Sequence, residues 1–270
     1  MEKKNFLQRA KEDIKNDKLK FFVYLVLRLF VIASLVLAAI RGEYENVFVC
    51  ALSLVLFLIP SFIERSLKID LPSTFEIIMI LFIFSAEILG EIHNYYIKVP
   101  YWDTVLHTMN GFLFAAFGFS LLDIINRNPR FKFQLSPMYL AVVAFCFSMT
   151  IGVLWEFFEF GVDYFLDKDM QKDVIINTIN SVTLDPNQQN VPYTIDNISS
   201  VSVNGNDLGL GGYLDIGLYD TMKDLLVNFV GAIIFCIIGF FYIKGRGKGK
   251  FAKRFIPIID EEKEQKNSGQ

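Results

Sequence analysis

The sequence predicts an all-α polytopic membrane protein with six transmembrane helices and a small β-rich cap between helices five and six. The composition gives the first indication, because 53% of the 270 residues are hydrophobic and 28 are Phe. The mean hydropathy of +0.40 is also well above that of soluble domains. Finally, six apolar runs are each long enough to cross a hydrocarbon core of about 30 Å, which takes about 20 residues.

The six apolar runs cover residues 21–40, 46–63, 73–91, 103–124, 137–162 and 220–243. Each run is continuous, which indicates helices rather than the alternating strands of a membrane β-barrel. The first run follows a charge-rich segment and exceeds the apolar core of a cleaved signal peptide. We therefore expect it to remain as the first crossing.

The positions of Lys and Arg predict that both termini lie on the inner side of a bacterial plasma membrane. Twenty of the 26 basic residues fall in the terminal segments and in the second and fourth connections. Acidic residues concentrate on the opposite, outer side, which argues against nucleic acid as a partner and leaves the lipid bilayer. The predicted parts are a basic segment 1–20, crossings one to five at 21–164, an outer loop 165–218, crossing six at 219–243 and a basic then acidic tail 244–270.

The long outer loop has the composition of β-structure. Residues 173–184, 193–203 and 212–218 are rich in β-branched side chains, whereas 185–190 and 204–212 are rich in turn-forming residues. The loop contains no cysteine, so no disulfide can hold it together. We predict a small β-sheet that caps the outer side of the helices.

Three of the apolar runs carry polar side chains three or four residues apart, which places each set on one helix face. With a rise of about 1.5 Å per residue, all three sets fall in the outer third of the membrane. Ionisable groups are costly in hydrocarbon, so their presence predicts a functional site. The sets are Asp103, His107 and Asn110; Glu156, Glu159 and Asp163; and Asp220, Asp224 and Asn228.

Carboxylates and one imidazole in a common layer predict a divalent metal site, with Mn, Mg, Ca, Fe or Zn as the candidate cofactor. The predicted metal ligands are Asp103, His107, Glu156, Asp220 and Asp224. Glu156, Glu159 and Lys223 are the predicted catalytic residues, and Asn110 and Asn228 the supporting polar residues. An alternative for Asp103 and Asp220 alone is that they cap helix N-termini.

The same motifs carry a family resemblance over about residues 70–243. The pattern D-x-x-x-H at 103–107, E-x-x-E at 156–159 and GGYLDIGLYDTMKDLLVNFVGA at 211–232 resembles the YjdF-like family of bacterial membrane-spanning proteins. The last pattern is more distantly similar to the VanZ-like proteins, which are associated with the cell envelope and glycopeptide tolerance. VanZ-like proteins have a Gln-containing helix where this chain has Glu159. The resemblance implies a membrane-embedded polar site and supplies no reaction.

The sequence leaves three classes of function open. One is a metal-dependent membrane enzyme that acts on an outer-leaflet phospholipid or a cell-wall precursor. Another is a proton- or cation-coupled carrier, in which the acids and His107 bind the transported ion. The third is a non-catalytic envelope scaffold whose β-rich loop binds a partner. The residues predict the site more sharply than they predict the reaction.

Overall fold

The computed structural model of the protein describes residues 17–127, 134–245, 247 and 249–259. Predictions that concern 1–16, 128–133 and 260–270 lie outside the described residues. The chain divides into two units, one formed by Met1–Ile151 with Val227–Gln270 and the other by Gly152–Leu226. The helices are α1 Lys18–Arg41, α2 Tyr44–Leu56, α3 Ile59–Leu67, α4 Ser73–Phe84, a π-helix Ser85–Ile92, α5 Tyr95–Lys98, α6 Trp102–Arg127, α7 Pro137–Leu166 and α8 Leu218–Lys244.

Five helical segments of the described chain are long and apolar enough to cross a membrane, which confirms a multi-pass helical protein. These segments are α1, α2 with α3, α6, α7 and α8, and each coincides with a predicted apolar run. The second segment is interrupted at Phe57 and Leu58, directly before α3, whose second residue is Pro60. Proline fits the first turn of α3 because an N–H at this position has no partner within the helix.

The third predicted run forms a helix of mixed type. The 12 residues of α4 continue directly into the 8 residues of the π-helix. The indole N–H of Trp102 donates to the carbonyl oxygen of Ser85 at 3.3 Å, at the point where the helix changes type. Gly90 faces the ring of Tyr96 so closely that a Cβ atom would overlap it. A sixth crossing at this run remains a prediction, since α4 alone is too short to span the bilayer.

The end of the chain packs into the first unit. Ala252–Arg254 form a 3-10 helix, and strand β8, Ile258–Ile259, pairs antiparallel with strand β1, Ile69–Asp70. Phe255 is buried, and its ring contacts those of Phe75 and Phe235 at centroid distances of 5.9 and 6.1 Å. The described part of the tail is therefore a structural element, whereas the sequence suggested only a basic segment after the last helix.

The loop between α7 and α8 confirms β-structure, but not a single sheet. Six short strands form three separate antiparallel pairs: β2 Val174–Ile176 with β7 Tyr213–Asp215, β3 Ile179–Ser181 with β4 Tyr193–Ile195, and β5 Ser202–Val203 with β6 Asn206–Asp207. Asn204 and Gly205 join the last pair with φ values of 53° and 81°. Positive φ at both positions is typical of a two-residue hairpin turn. Each of these strands has only two or three residues, and no strand pairs with more than one partner.

Candidate functional site at the polar helix ends

A carboxylate and an imidazole form a pair in the first two turns of α6. His107 Nε2 lies 3.3 Å from Asp103 Oδ1, and the side chains are 12% and 26% exposed, respectively. The i, i+4 spacing places them on one helix face, as the sequence predicted. A carboxylate in this position fixes the orientation of the imidazole. The pair can therefore act in proton transfer or metal binding.

The two supporting asparagines contact each other across the crossing of α6 and α8. Asn110 Nδ2 donates to Asn228 Oδ1 at 3.0 Å, and Asn228 is only 1% exposed. The second polar contact of Asn228 is weak, because its Nδ2 lies 3.5 Å from the sulfur of Met149. The structure thus brings this predicted pair together in a buried hydrogen bond between helices.

Two glycines allow this crossing to be unusually close. A Cβ atom at Gly111 would overlap the carbonyl oxygen of Asn228, and one at Gly231 would overlap the carbonyl oxygen of Thr108. Ser148 Oγ of α7 donates to the carbonyl oxygen of Gly111 at 2.7 Å. Small residues permit such backbone contacts between membrane helices, and interhelical hydrogen bonds reinforce them. The junction of α6, α7 and α8 in the first unit is therefore both close-packed and polar.

In the second unit, the α7 end carries two buried glutamates. Glu156 is 4% exposed and Glu159 is 8% exposed. Trp155 Nε1 donates to Glu159 Oε1 at 2.8 Å. One turn further along α7, the carboxylate of Asp163 accepts the backbone N–H groups of residues 170 and 171 at 2.6 and 2.8 Å. Glu156 and Glu159 are thus the buried acids of this helix end, and Asp163 holds the chain that follows it.

The α8 start carries two buried aspartates with a lysine between them. Asp220 and Asp224 are 7% and 1% exposed. Lys223 Nζ lies 3.3 Å from Asp220 Oδ1 and 3.4 Å from Asp224 Oδ1, and the lysine side chain is 45% exposed. Asp220 also accepts the backbone N–H of Lys172 at 2.8 Å. One lysine therefore lies beside two of the four carboxylates buried at the helix ends of this unit.

The capping alternative for Asp103 and Asp220 is wrong in detail. α6 begins at Trp102 and α8 begins at Leu218, so both aspartates lie inside the first helical turn rather than before it. Negative charge in the first turn still interacts favourably with the helix dipole. The first-turn position leaves the carboxylate of Asp220 directed at the segment after α7, where it accepts the N–H of Lys172.

Sequence reasoning missed the segment that joins these helix ends within the second unit. The side-chain amide of Gln171 donates to Thr221 Oγ1 at 2.5 Å, while its backbone N–H donates to Asp163. The next N–H, that of Lys172, donates to Asp220. Three donor groups from two consecutive residues, Gln171 and Lys172, therefore join the end of α7 to the start of α8. The only available signal was the (i, i+7) position of Asp163 relative to Met170, which is too weak to predict a contact.

The five predicted metal ligands are distributed over both units. Asp103 and His107 belong to the first unit, and Glu156, Asp220 and Asp224 belong to the second. The complete set of five remains a prediction. Within the second unit, Lys223 lies beside two of these acids, and protonation, further pairing or a bound cation can offset the charge of buried acids.

Comparison with known proteins identifies the family. A family model described as a predicted membrane protein, DUF2238, matches residues 23–245. The chain belongs to the DUF2238 family. The match spans all three helices that carry the polar residues and the loop between α7 and α8. The resemblance to YjdF-like proteins fits this family, while the more distant similarity to VanZ-like proteins remains a prediction.

One relative of this DUF2238 protein shows partial similarity. It is an uncharacterized protein of Thermotoga maritima, 28% identical over 114 residues. The aligned region covers 42% of this chain and 57% of the relative. No solved structure matches the chain.

Proposed function

We propose that the protein binds a divalent cation through buried carboxylates of the second unit and uses it on a phosphate-bearing envelope lipid or cell-wall precursor. The observation that carries the proposal is the burial of four carboxylates at the helix ends of this unit, where one lysine lies between two of them. Their exposed fractions are all below one-tenth. A buried carboxylate needs hydrogen bonds, a proton or an opposite charge to offset its desolvation, and a divalent cation can offset several at once. The buried acids are Glu156, Glu159, Asp220 and Asp224.

The donor atoms of this unit favour a hard cation. Both histidines of the chain, His93 and His107, lie outside the second unit. A site formed by Glu156, Asp220 and Asp224 would therefore offer only oxygen ligands. Oxygen donors suit Mg, Mn and Ca, whereas Zn and Fe sites usually contain imidazole or thiolate. We therefore expect Mg or Mn in preference to Zn.

The remaining polar groups have distinct proposed roles. Glu159 keeps one carboxylate oxygen bound to Trp155 and is the proposed general base. Lys223 is almost half exposed while its amine lies between two aspartates, so a substrate phosphate can reach it from solvent. When bound, the cation would polarise the phosphate and lower the pKa of a bound water. The same buried acids would also suit a carrier, and cation uptake by proteoliposomes is the result that would favour that alternative.

The proposed orientation places this unit on the outer side of a six-crossing protein. Residues 73–92 are helical throughout α4 and the π-helix, and about 20 helical residues suffice to cross the bilayer. An even number of crossings leaves both termini on one side. Lys18 and Lys20 at the start of α1 and Lys244 at the end of α8 have the positive charge expected of inner ends.

Metal analysis of the purified full chain tests the proposal. We expect about one Mg or Mn per chain in the parent. Glu156→Gln and Asp224→Asn should each reduce the affinity for the metal by more than tenfold, since the loss of a residue that only supports a ligand already costs about tenfold. Asp169→Asn is the matched control, because this aspartate of the same unit has a 63% exposed side chain. His107→Ala tests the larger set of five ligands predicted from the sequence. If His107 is a ligand, this variant should also bind metal less tightly.

Three results would contradict the proposal or its orientation. A parent protein that binds no divalent cation with micromolar or better affinity would remove the metal-dependent mechanism. Equal losses in Asp169→Asn and Glu156→Gln would show that charge alone, rather than a ligand position, determines binding. In right-side-out vesicles, external EDTA should strip the cation; release only after the vesicles are opened would contradict an outward-facing site.

A further inference from the structure

A second candidate site lies in the first unit, at the C-terminal end of α8, and is independent of the proposed cation site. An apolar groove of about 440 Å³ runs along the last turns of this helix. Ile237, Ile238 and Phe241 line one side, and Phe251 with Ala252 of the tail lines the other. Phe241 is 62% exposed and Ile237 is 53% exposed, as expected for a membrane-facing helix surface. The groove is therefore open to lipid.

A polar cavity of about 460 Å³ adjoins this groove. The two share Tyr242, and the polar cavity is further lined by Asp123, Arg127 and Gln134. Arg127 NH2 lies 2.8 Å from Asp123 Oδ2, with side chains that are 36% and 2% exposed. The carboxylate thus lies beneath the guanidinium and fixes its position, while the guanidinium is the more exposed member of the pair. A fixed guanidinium is well suited to phosphate recognition.

The tail holds further positive charge beside the groove. Lys250, Lys253 and Arg254 are exposed, while Phe255 is buried two positions beyond Lys253. The serine hydroxyl of Ser120 donates to the carbonyl oxygen of Phe255 at 3.3 Å, and the β1–β8 pairing follows. These contacts anchor the tail on the helices. The three cations are therefore held near the end of α8 rather than carried on a free extension.

Glycines let the chain pass closely along Tyr242, which forms the wall between groove and cavity. A Cβ atom at Gly249 would lie 3.4 Å from a ring carbon of Tyr242, and one at Gly247 would lie 3.4 Å from its hydroxyl oxygen. Gly247 also has a φ of 73°, which disfavours other residues. Gly247 and Gly249 thus help to shape the two cavities.

We propose that this groove and cavity bind one anionic phospholipid from the leaflet at the C-terminal end of α8. Its acyl chain would occupy the apolar groove, and its phosphate would lie near Arg127 and the tail cations. An apolar slot beside a fixed guanidinium and three exposed basic residues complements a lipid with one negative headgroup. A free phosphate would use only the polar part, and a neutral lipid only the apolar part.

Native mass spectrometry of the delipidated full chain in detergent tests the proposal. The probes are dioleoyl phosphatidylglycerol and dioleoyl phosphatidylcholine, which share acyl chains and differ in net charge. We expect preferential binding of the anionic lipid, and a loss of about fivefold in its affinity for each cation removed in K250Q/K253Q/R254Q. The control triple K98Q/K168Q/K172Q removes the same charge from exposed positions elsewhere and should retain the preference.

Two further measurements distinguish the contribution of the acyl chain from that of the phosphate. Phe251→Ala removes a half-exposed side chain that lines the groove. It should weaken the binding of dioleoyl phosphatidylglycerol more than that of its dihexanoyl analogue. This comparison still tests the proposal if the triple variant fails to fold. Equal binding of the two dioleoyl lipids, or equal losses in the two triple variants, would overturn the proposal. Displacement of the lipid by millimolar inorganic phosphate alone would show a phosphate site without an acyl-chain groove, which also contradicts it.

Discussion

The helices of the first unit and the loop between α7 and α8 are stabilised in different ways. In the helical unit, large side chains such as Phe75, Phe119 and Phe235 are almost completely buried. In residues 167–217, the buried positions are Asp185 and two glycines, and the apolar side chains of the strands are at least partly exposed. The helices are therefore held by packing, whereas the loop depends on backbone pairing and on side chains that bind backbone N–H groups. Substitutions should have large effects in the first region and local effects in the second.

The largest expected effect comes from the anchor of the tail. Phe255→Ala removes a ring that contacts Phe75, Phe112 and Phe235, and the loss of such a core aromatic costs about 3–5 kcal/mol of unfolding free energy. Phe251→Ala is the control, because this ring is 51% exposed, and its loss should cost less than about 1 kcal/mol. Reversible unfolding of the two variants in detergent compares these values. Equal costs would mean that the tail does not pack as described.

A somewhat smaller effect is expected at the crossing of α6 and α8. Gly111→Ala would place a methyl group against the Asn228 carbonyl oxygen, and such overpacking costs about 2–3 kcal/mol. Gly161→Ala offers a matched helical control, because a Cβ atom there has no neighbour within 4 Å. That control should be neutral or gain up to about 1 kcal/mol from helix propensity. Thermal unfolding in one detergent distinguishes the two; similar melting temperatures would disprove the close crossing.

Local sequence patterns were sufficient to predict the parts of the molecule that depend on hydropathy and short spacing. The five spanning helices follow from apolar length, and the Asp103–His107 pair follows from an i, i+4 spacing on one helix. The sequence predicts a turn within 204–212, and the structure has one at Asn204 and Gly205, a dipeptide that tolerates positive φ at both positions. In each case, the determining interaction lies within a few residues along the chain.

Contacts between distant segments could not be predicted in the same way. Phe255 packs against Phe75 and Phe235. The sequence of the tail around it shows no periodicity that would indicate burial. The Ser85 carbonyl, where the α-helix gives way to the π-helix, accepts a hydrogen bond from Trp102, 17 positions later. Gln171 joins Asp163 to Thr221 through a loop with no helical or strand pattern. The sequence thus indicated which residues are polar and buried, but not what most of them bind.

The smallest expected effect concerns the Asp185 turn and tests the polar stabilisation of the loop. The Asp185 carboxylate accepts the backbone N–H groups of Asn187, Val191 and Gln189 at 2.9, 3.2 and 2.7 Å. These hydrogen bonds hold the pKa of Asp185 below its ordinary value of 3.8. Since the folded-state pKa is the lower one, the stabilisation is present above pH 3.8 and is lost as the pH falls through the folded-state pKa.

Hydrogen exchange measures this turn directly. Between about pH 5 and pH 2.5, protection of the Asn187, Gln189 and Val191 amides, corrected for intrinsic exchange, should fall while the amides of α8 remain protected. In Asp185→Asn, protection of the three amides should be lower at pH 5 and nearly independent of pH, because the charged acceptor is absent. Unchanged protection in the parent across this range would mean that the turn is held by its backbone conformation, and the contrast between loop and helices would then rest on strand pairing alone.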